Sequence, residues 1–210
     1  MYQLILAFDG NYGIGNKGTL PWPKNKKDME FFRNKTTNNI VIMGRKTWDS
    51  IPEKFRPLPN RINMIVSKTE HENTDNVLWF TSILDVVRHI DSLKKTDYKE
   101  KEVFVIGGNE IYKQFLDYQI VSTIWLTWFD DVYECDTFFD KKNLEKFELE
   151  DESVVDFQPG LDNMVIQKYT YKNKEELAYL THLGNILNNG NHRENRTGVD
   201  TYSLFCPPQL

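Results

Sequence analysis

Three times in this chain a short apolar run breaks off at a junction suited to close backbone approach or to charge. Ile40-Val41-Ile42-Met43 runs into Gly44-Arg45-Lys46-Thr47, Ile62-Asn63-Met64-Ile65-Val66 into Ser67-Lys68, and Val103-Phe104-Val105-Ile106 into Gly107-Gly108-Asn109. Runs of this length suit strands buried on both faces, which occur in parallel sheets covered by helices. Leu4-Ile5-Leu6-Ala7-Phe8 opens the chain in the same way. Helical periodicity appears between such runs, with apolar residues at Ile83, Leu84, Val86, Val87, Ile90 and Leu93 and again over Glu110 to Leu116. The expected fold class is α/β: a mostly parallel twisted sheet with flanking helices and a ligand crevice at the strands' carboxyl ends. Ile124 to Phe129 and Met164 to Tyr171 read as late strands separated by an acidic stretch of little periodicity, which predicts an antiparallel C-terminal edge.

Charge and cysteine content remove several function classes. A net charge of -5 gives no electrostatic case for nucleic acid or an anionic membrane as main partner. No apolar run approaches the roughly 18 residues of a spanning helix, and the N-terminus lacks a basic-then-apolar signal. The 2 cysteines, Cys135 and Cys206, lie far apart with no CxxC spacing, so neither a disulfide framework nor a metal site is expected. A reducing, cytoplasmic setting is the expectation.

The junctions carry the candidate chemistry. The helix start after Gly44 offers free backbone N–H groups beside Arg45, Lys46 and Thr47, a place for phosphate, although such junctions are common. Lys68, at the end of another strand, can meet the extra phosphate that separates NADPH from NADH, or be a plain solvated lysine. The adjacent Gly107 and Gly108 let backbone approach a ligand closely. Asp9 to Gly18 is a glycine-rich loop that is either a lid or a connector. It leads through Leu20-Pro21-Trp22 to a short amphipathic helix in which Asp28, Phe31 and Phe32 share one face and Met29 stands at its edge. A carboxyl among aromatics loses hydration, and its pKa rises toward neutrality. An acid in the first helical turn is more often a surface charge favoured by the helix dipole, and the helix alone leaves both readings open.

Taken together, these motifs resemble dihydrofolate reductase over about Met1 to Lys172. Leu20-Pro21-Trp22 with Asp28, Phe32 and Thr36 is similar to the family's substrate helix. Met43-Gly44-Arg45-Lys46-Thr47-Trp48 with Ser50-Ile51 resembles its first cofactor motif, Arg56-Pro57-Leu58-Pro59-Asn60-Arg61 its next loop, and Val105-Ile106-Gly107-Gly108 with Ile111-Tyr112 its second cofactor motif. Their joint occurrence reverses the odds on Asp28. The resemblance implies reduction of 7,8-dihydrofolate to tetrahydrofolate with NADPH, in support of one-carbon metabolism and thymidylate synthesis. Asp28 would be the ionisable group of the pterin pocket, and Trp22 and Ile14 would belong to the mobile loop over the nicotinamide. Ala7, Met29, Phe32, Ile51 and Thr127 would surround the pterin and aminobenzoyl groups. Arg61 would clamp the glutamate tail's carboxylate with its planar fork, or else be a solvated loop-end cation. Gly44, Arg45, Lys46, Thr47, Ser67 and Lys68 would surround the adenosine phosphates. Ile106, Gly107, Gly108, Asn109, Glu110, Ile111 and Tyr112 would form the turn over the pyrophosphate, with a cis peptide between the glycines. Ala7 would also touch the cofactor, and Asp136-Thr137 would contact the mobile loop.

Two features narrow the resemblance. Pro52-Glu53-Lys54-Phe55 makes the loop longer than in the shortest bacterial forms, yet the acid is Asp28 where animal enzymes carry Glu. That combination resembles the bifunctional reductase–synthase proteins of protists and plants. The tail agrees: Tyr179-Leu180, Ile186-Leu187, Gly190, Asn195-Arg196-Thr197-Gly198 and Ser203-Leu204-Phe205 resemble the first helix and arginine loop of thymidylate synthase, Arg196 standing where an arginine binds nucleotide phosphate. Cys206 stands where glycine is common, and the later nucleophile motif is absent from this sequence. The expected division is a reductase domain over 1–172 and the beginning of a synthase-like domain over 173–210, the longer protein being dimeric through that second domain. Dihydrofolate and antifolate inhibitors are the expected ligands. A silent folate- or nucleotide-binding scaffold is the alternative from a different class, and a reductase for a related pterin or pyrimidine is the nearer one.

Overall fold

The computed structural model describes residues 1–96, 98–155, 164–189, 191–193 and 201–203. The chain opens with strand β1 (Tyr2–Phe8), makes a short strand β2 (Gly13–Gly15), and enters helix α1 (Lys26–Thr36). There follow β3 (Ile40–Gly44), α2 (Arg45–Ser50), β4 (Ile62–Val66), β5 (Val77–Phe80), α3 (Ile83–Leu93), β6 (Val103–Gly107) and α4 (Asn109–Asp117). Then come β7 (Val121–Phe129), β8 (Thr137–Phe138), β9 (Phe147–Val155), β10 (Met164–Tyr171), α5 (Lys174–Asn189), β11 (Asn191–Arg193) and β12 (Thr201–Ser203).

Eight strands form one sheet in the order β5-β4-β3-β6-β1-β7-β10-β9. Every pair from β5 to β7 is parallel, and β10 runs antiparallel to both β7 and β9. The sheet therefore agrees with the sequence expectation, with two refinements. The late strand starting near Ile124 is parallel to β1, so the antiparallel edge begins at β10. The acidic stretch conceals β9, where Glu148, Glu150 and Glu152 are all exposed. Charge along an outermost strand discourages pairing with other chains, and it also erases the alternation by which a strand is read. The glycine-rich loop is likewise not a free connector, since β2 pairs with β8.

Alternate residues of the central strands face two different layers. One layer holds Leu4, Leu6, Ile40, Ile42, Met64 and Val105 against Ile83, Val86 and Ile90 of α3 and Phe115 of α4. The other holds Ile5, Val41, Met43, Ile65 and Phe104, with the half-buried Phe31, Phe32, Trp48 and Ile51 packed on them. The start of α5 joins the first layer through buried Leu177. Among the described residues no helix is long and apolar enough to cross a membrane, and no cluster of metal-ligating side chains occurs. Gly190, residues 195–198, Leu204, Phe205 and Cys206 lie outside the described residues, so Arg196 has no structural description.

Candidate active site

Helix α1 begins at Asn25, whose side chain accepts the backbone N–H groups of Lys27 at 3.0 Å and Asp28 at 3.1 Å. This cap fixes the first turn and aims the half-buried Asp28 toward the sheet, where it hydrogen-bonds Thr127. Thr127 is buried on β7 and lies in register with Ala7 of β1. Burial pushes the Asp28 carboxyl above its ordinary pKa, and the Thr127 hydrogen bond opposes part of that rise. Tyr112, buried behind the same strands, donates its hydroxyl to the Ile5 carbonyl at 2.9 Å. Burial, and then the nearby Asp28 charge, raise the Tyr112 pKa.

The opposite end of α1 presents a cation. Arg61 is only 7% exposed, so it is not a solvated loop-end residue. Its Nε donates to Thr36 Oγ1 at 2.8 Å and its Nη1 to the Pro59 carbonyl at 2.9 Å. Longer contacts run from Nη2 to Thr37 Oγ1 at 3.3 Å and to the Arg33 carbonyl at 3.4 Å. No carboxylate stands within ion-pair distance of it among the described residues. Asp28 and Thr36 are eight residues apart on the helix, about 12 Å along its axis. Between them Phe31, Phe32, Ile51 and Leu58 form a half-buried apolar trough. Met29 is 54% exposed and stands outside the packed part of that trough.

Two supports of this end carry weak sequence signals. Thr36 is buried, donating to the Phe32 carbonyl while accepting from Arg61. Asn63 is buried in β4, where its amide oxygen accepts Leu58 N–H and its nitrogen donates to the Leu58 and Arg61 carbonyls. A polar residue inside an apolar strand was the available sign of that role.

The glycine junctions meet at the carboxyl ends of neighbouring strands, Met43 lying in register with Gly107. A Cβ on Gly44 would come within 3.0 Å of Ile111, and one on Gly108 within 3.1 Å of Thr47 Oγ1. Gly107 has φ +128 and its peptide bond to Gly108 is cis. Thr47, Ile111 and Tyr112 therefore pack closely against the bare backbone of these glycines. Ile106 packs in the second layer beside it, and Asn109 donates to the Phe138 carbonyl at 3.1 Å. Glu110 is exposed in the first turn of α4. Arg45 is half-exposed and pairs with Asp49 at 2.8 Å, a surface pair of little energetic worth that leaves the guanidinium accessible. Lys46 and Lys68 are exposed, with no carboxylate partner among the described residues. Ser67 is buried, its hydroxyl 2.9 Å from Thr69 Oγ1 and 3.4 Å from His71 Nε2. His71 stacks on Trp79 with centroids 3.9 Å apart.

Trp22 is buried and packs on Phe129 at 4.6 Å and Tyr133 at 6.1 Å. Ala7 and Trp22 share that cluster, whereas Ile14, on β2, packs against the first layer. Asp136 contacts the loop as the resemblance implies, its Oδ2 accepting Lys17 N–H at 2.7 Å. That hydrogen bond is the main cause holding the Asp136 pKa low. The structure thus brings Asp28, Phe32, Ile51, Thr127 and Arg61 together along α1 and the glycine junctions to the sheet's carboxyl edge, while Ile14 packs on the other layer and Met29, Arg45, Lys46, Lys68 and Glu110 are exposed.

Comparison with known proteins adds an independent line. A profile of the family described as Dihydrofolate reductase matches residues 1–173. The chain is 37% identical to the dihydrofolate reductase of Sus scrofa, over 69% of this chain and 82% of that protein. It is 40% identical to that of Schistosoma mansoni, over 69% of this chain and 80% of that protein. It is 30% identical to the bifunctional dihydrofolate reductase-thymidylate synthase 2 of Arabidopsis thaliana, over 97% of this chain. The chain spans 44% of the length of that plant protein.

Proposed function

The chain belongs to the dihydrofolate reductase family, and from that premise we propose that it reduces 7,8-dihydrofolate to 5,6,7,8-tetrahydrofolate with NADPH. The observation that carries the reading is the two-ended trough. A carboxyl whose pKa burial raises, Asp28, stands at one end, and a buried guanidinium without a carboxylate partner among the described residues, Arg61, at the other. A folate has the matching order: a hydrogen-bonding pterin head, an aromatic middle and an anionic tail. Asp28 bonds the pterin ring and passes a proton toward it, through water, as reduction proceeds. Phe31, Phe32 and Ile51 hold the aminobenzoyl group, and Arg61 takes the tail carboxylate, already oriented by Thr36 and Pro59. Ala7 and Thr127 shape the pterin end.

The carboxyl edge of the sheet suits a dinucleotide, because at Gly44 and Gly108 bare backbone stands where β3 and β6 end, close against Ile111 and Thr47. NADPH supplies the hydride when bound. Gly107, Gly108 and Thr47 approach the pyrophosphate. Arg45, Lys46 and Lys68, with Ser67, meet the adenosine phosphates, and their joint charge favours NADPH over NADH. Trp22 and Ile14 belong to the loop that excludes water from the reacting ring.

Residues 1–172 constitute the reductase unit, and 173–210 begin a synthase-like region anchored through Leu177. A longer protein would dimerise through that region, work in the cytoplasm and respond to antifolates that mimic head and tail. The test follows the loss of NADPH absorbance with dihydrofolate, against NADH and against pterins lacking the glutamate tail. Oxidation of NADPH that is fast only with dihydrofolate supports the reading. Binding without turnover favours the scaffold, and turnover of tailless pterins as fast as dihydrofolate favours the related-pterin reductase.

A further inference from the structure

Asp9 is a carboxylate only 1% exposed, two residues beyond Ala7, with no cation paired to it among the described residues. Its oxygens are divided between two loops. Oδ1 accepts the N–H groups of Gly13 at 2.7 Å and Asn11 at 3.0 Å, closing the turn that carries β2. Oδ2 reaches across to the segment after β7, accepting Tyr133 N–H at 2.8 Å and a weak contact from Cys135 Sγ at 3.7 Å. The same two segments are joined by Gly10 N–H to the Asp131 carbonyl at 2.9 Å and Phe139 N–H to the Tyr12 carbonyl at 2.8 Å. A Cβ on Gly13 would collide with Cys135, so the two segments are in full contact there. Tyr133 in turn bears on Trp22, and Asn109, next to Gly108, holds the Phe138 carbonyl.

We propose that Asp9 is a positioning residue for the reduction: it ties the loop carrying Ile14 and Trp22 to residues 131–139 and thereby sets the closed geometry over the site. The proposal rests on the reductase reading for what that loop covers. An ionised carboxylate accepts on both oxygens, which is what backbone donors on two sides demand. An asparagine can satisfy one side alone. With its oxygen kept on Asn11 and Gly13, its NH2 group faces the Tyr133 N–H, donor against donor. Asp9→Asn therefore keeps the local turn and severs the tie between segments.

The test measures single-turnover oxidation of NADPH by dihydrofolate, NADPH affinity, and amide exchange, in wild type, Asp9→Asn and Cys135→Ala. For Asp9→Asn the single-turnover rate should fall about tenfold or more, the worth of a hydrogen bond to a charged acceptor. Exchange at Lys17 and Tyr133 should quicken, while NADPH affinity and exchange in β1 and β6 stay near wild type. Cys135→Ala, which leaves the backbone donors in place, should match wild type. A rate near that of wild type in Asp9→Asn would overturn the proposal. So would a loss shared equally by affinity and sheet protection, which would make Asp9 a general structural residue. Should Asp9→Asn not fold, wild-type exchange decides: Gly13 and Tyr133 amides opening together support the tie, and Tyr133 exchanging far faster than Gly13 refutes it. If wild type oxidises no NADPH, the reductase reading fails while the exchange results still judge the tie.

Discussion

The two faces of one sheet are covered in opposite ways. On the first, Ile83, Val86, Ile90 and Phe115 from α3 and α4 are each at most 1% exposed and seal the strands from water. On the second, α1 buries only Thr36 and α2 buries no residue, so Phe31, Phe32, Trp48 and Ile51 remain half-open. The strands beneath are mostly apolar on both sides, but the second side also carries the buried polar Asn63 and Thr127, and its helices bring fewer buried side chains. The sealed face contributes stability. The half-open face has apolar surface and polar ends that a ligand can complete, and the candidate site lies there.

That comparison breaks if the two faces respond alike to truncation. Phe115→Ala should cost about 3–5 kcal/mol of unfolding free energy, the range for emptying a fully packed aromatic position. Phe31→Ala should cost less in urea titrations but raise the KM for dihydrofolate. Equal losses of stability would mean that the second face is packed as tightly as the first.

Arg61→Lys should come next in size. Loss of the oriented fork removes charge-assisted bonding worth about 1.5–3 kcal/mol, roughly 10- to 150-fold in KM, with kcat little changed. Steady-state kinetics in dihydrofolate separates the two parameters, and an unchanged KM would remove Arg61 from the tail-binding role.

Asp28→Asn sharpens the contrast through stability. A carboxyl whose folded pKa is raised binds its proton more tightly when folded. Asp28's own contribution to stability is therefore fully present below the unfolded carboxyl range, about 3.9 for Asp, and is lost as pH rises through the folded pKa. Asparagine carries no such charge, so the variant should be the more stable protein at pH 7, with the advantage vanishing in acid. Denaturant midpoints across pH measure it. The smallest effect belongs to the exposed Arg45–Asp49 pair: Asp49→Ala should change stability by less than about 1 kcal/mol.

Much of this contrast could be read from the chain. The apolar runs of β1, β3, β4 and β6 are buried as their composition required, and the i, i+3, i+4 spacing put Asp28 on the face of Phe31 and Phe32. The glycine junctions came together because parallel strands end on one edge of the sheet. Other features left no pattern. Strand β9 is exposed from Glu148 to Ser153 and largely acidic there, so it shows no alternation. The burial of Arg61 depends on Thr36, far from it in sequence, and on the nearby Pro59 and Asn63, whose hydrogen bonds leave no periodic pattern. In the sequence Asp9 is only the first residue of the glycine-rich loop, because its partners Tyr133 and Cys135 lie more than a hundred residues away.

The most direct test of the two-ended trough is the pH dependence of dihydrofolate-dependent NADPH oxidation by wild type and Asp28→Asn. Wild-type turnover should decline as pH rises through the elevated Asp28 pKa. The variant should bind NADPH normally, lose most turnover at neutral pH, and recover as acid protonates the substrate itself. A folded Asp28→Asn protein with wild-type turnover at neutral pH would contradict the account.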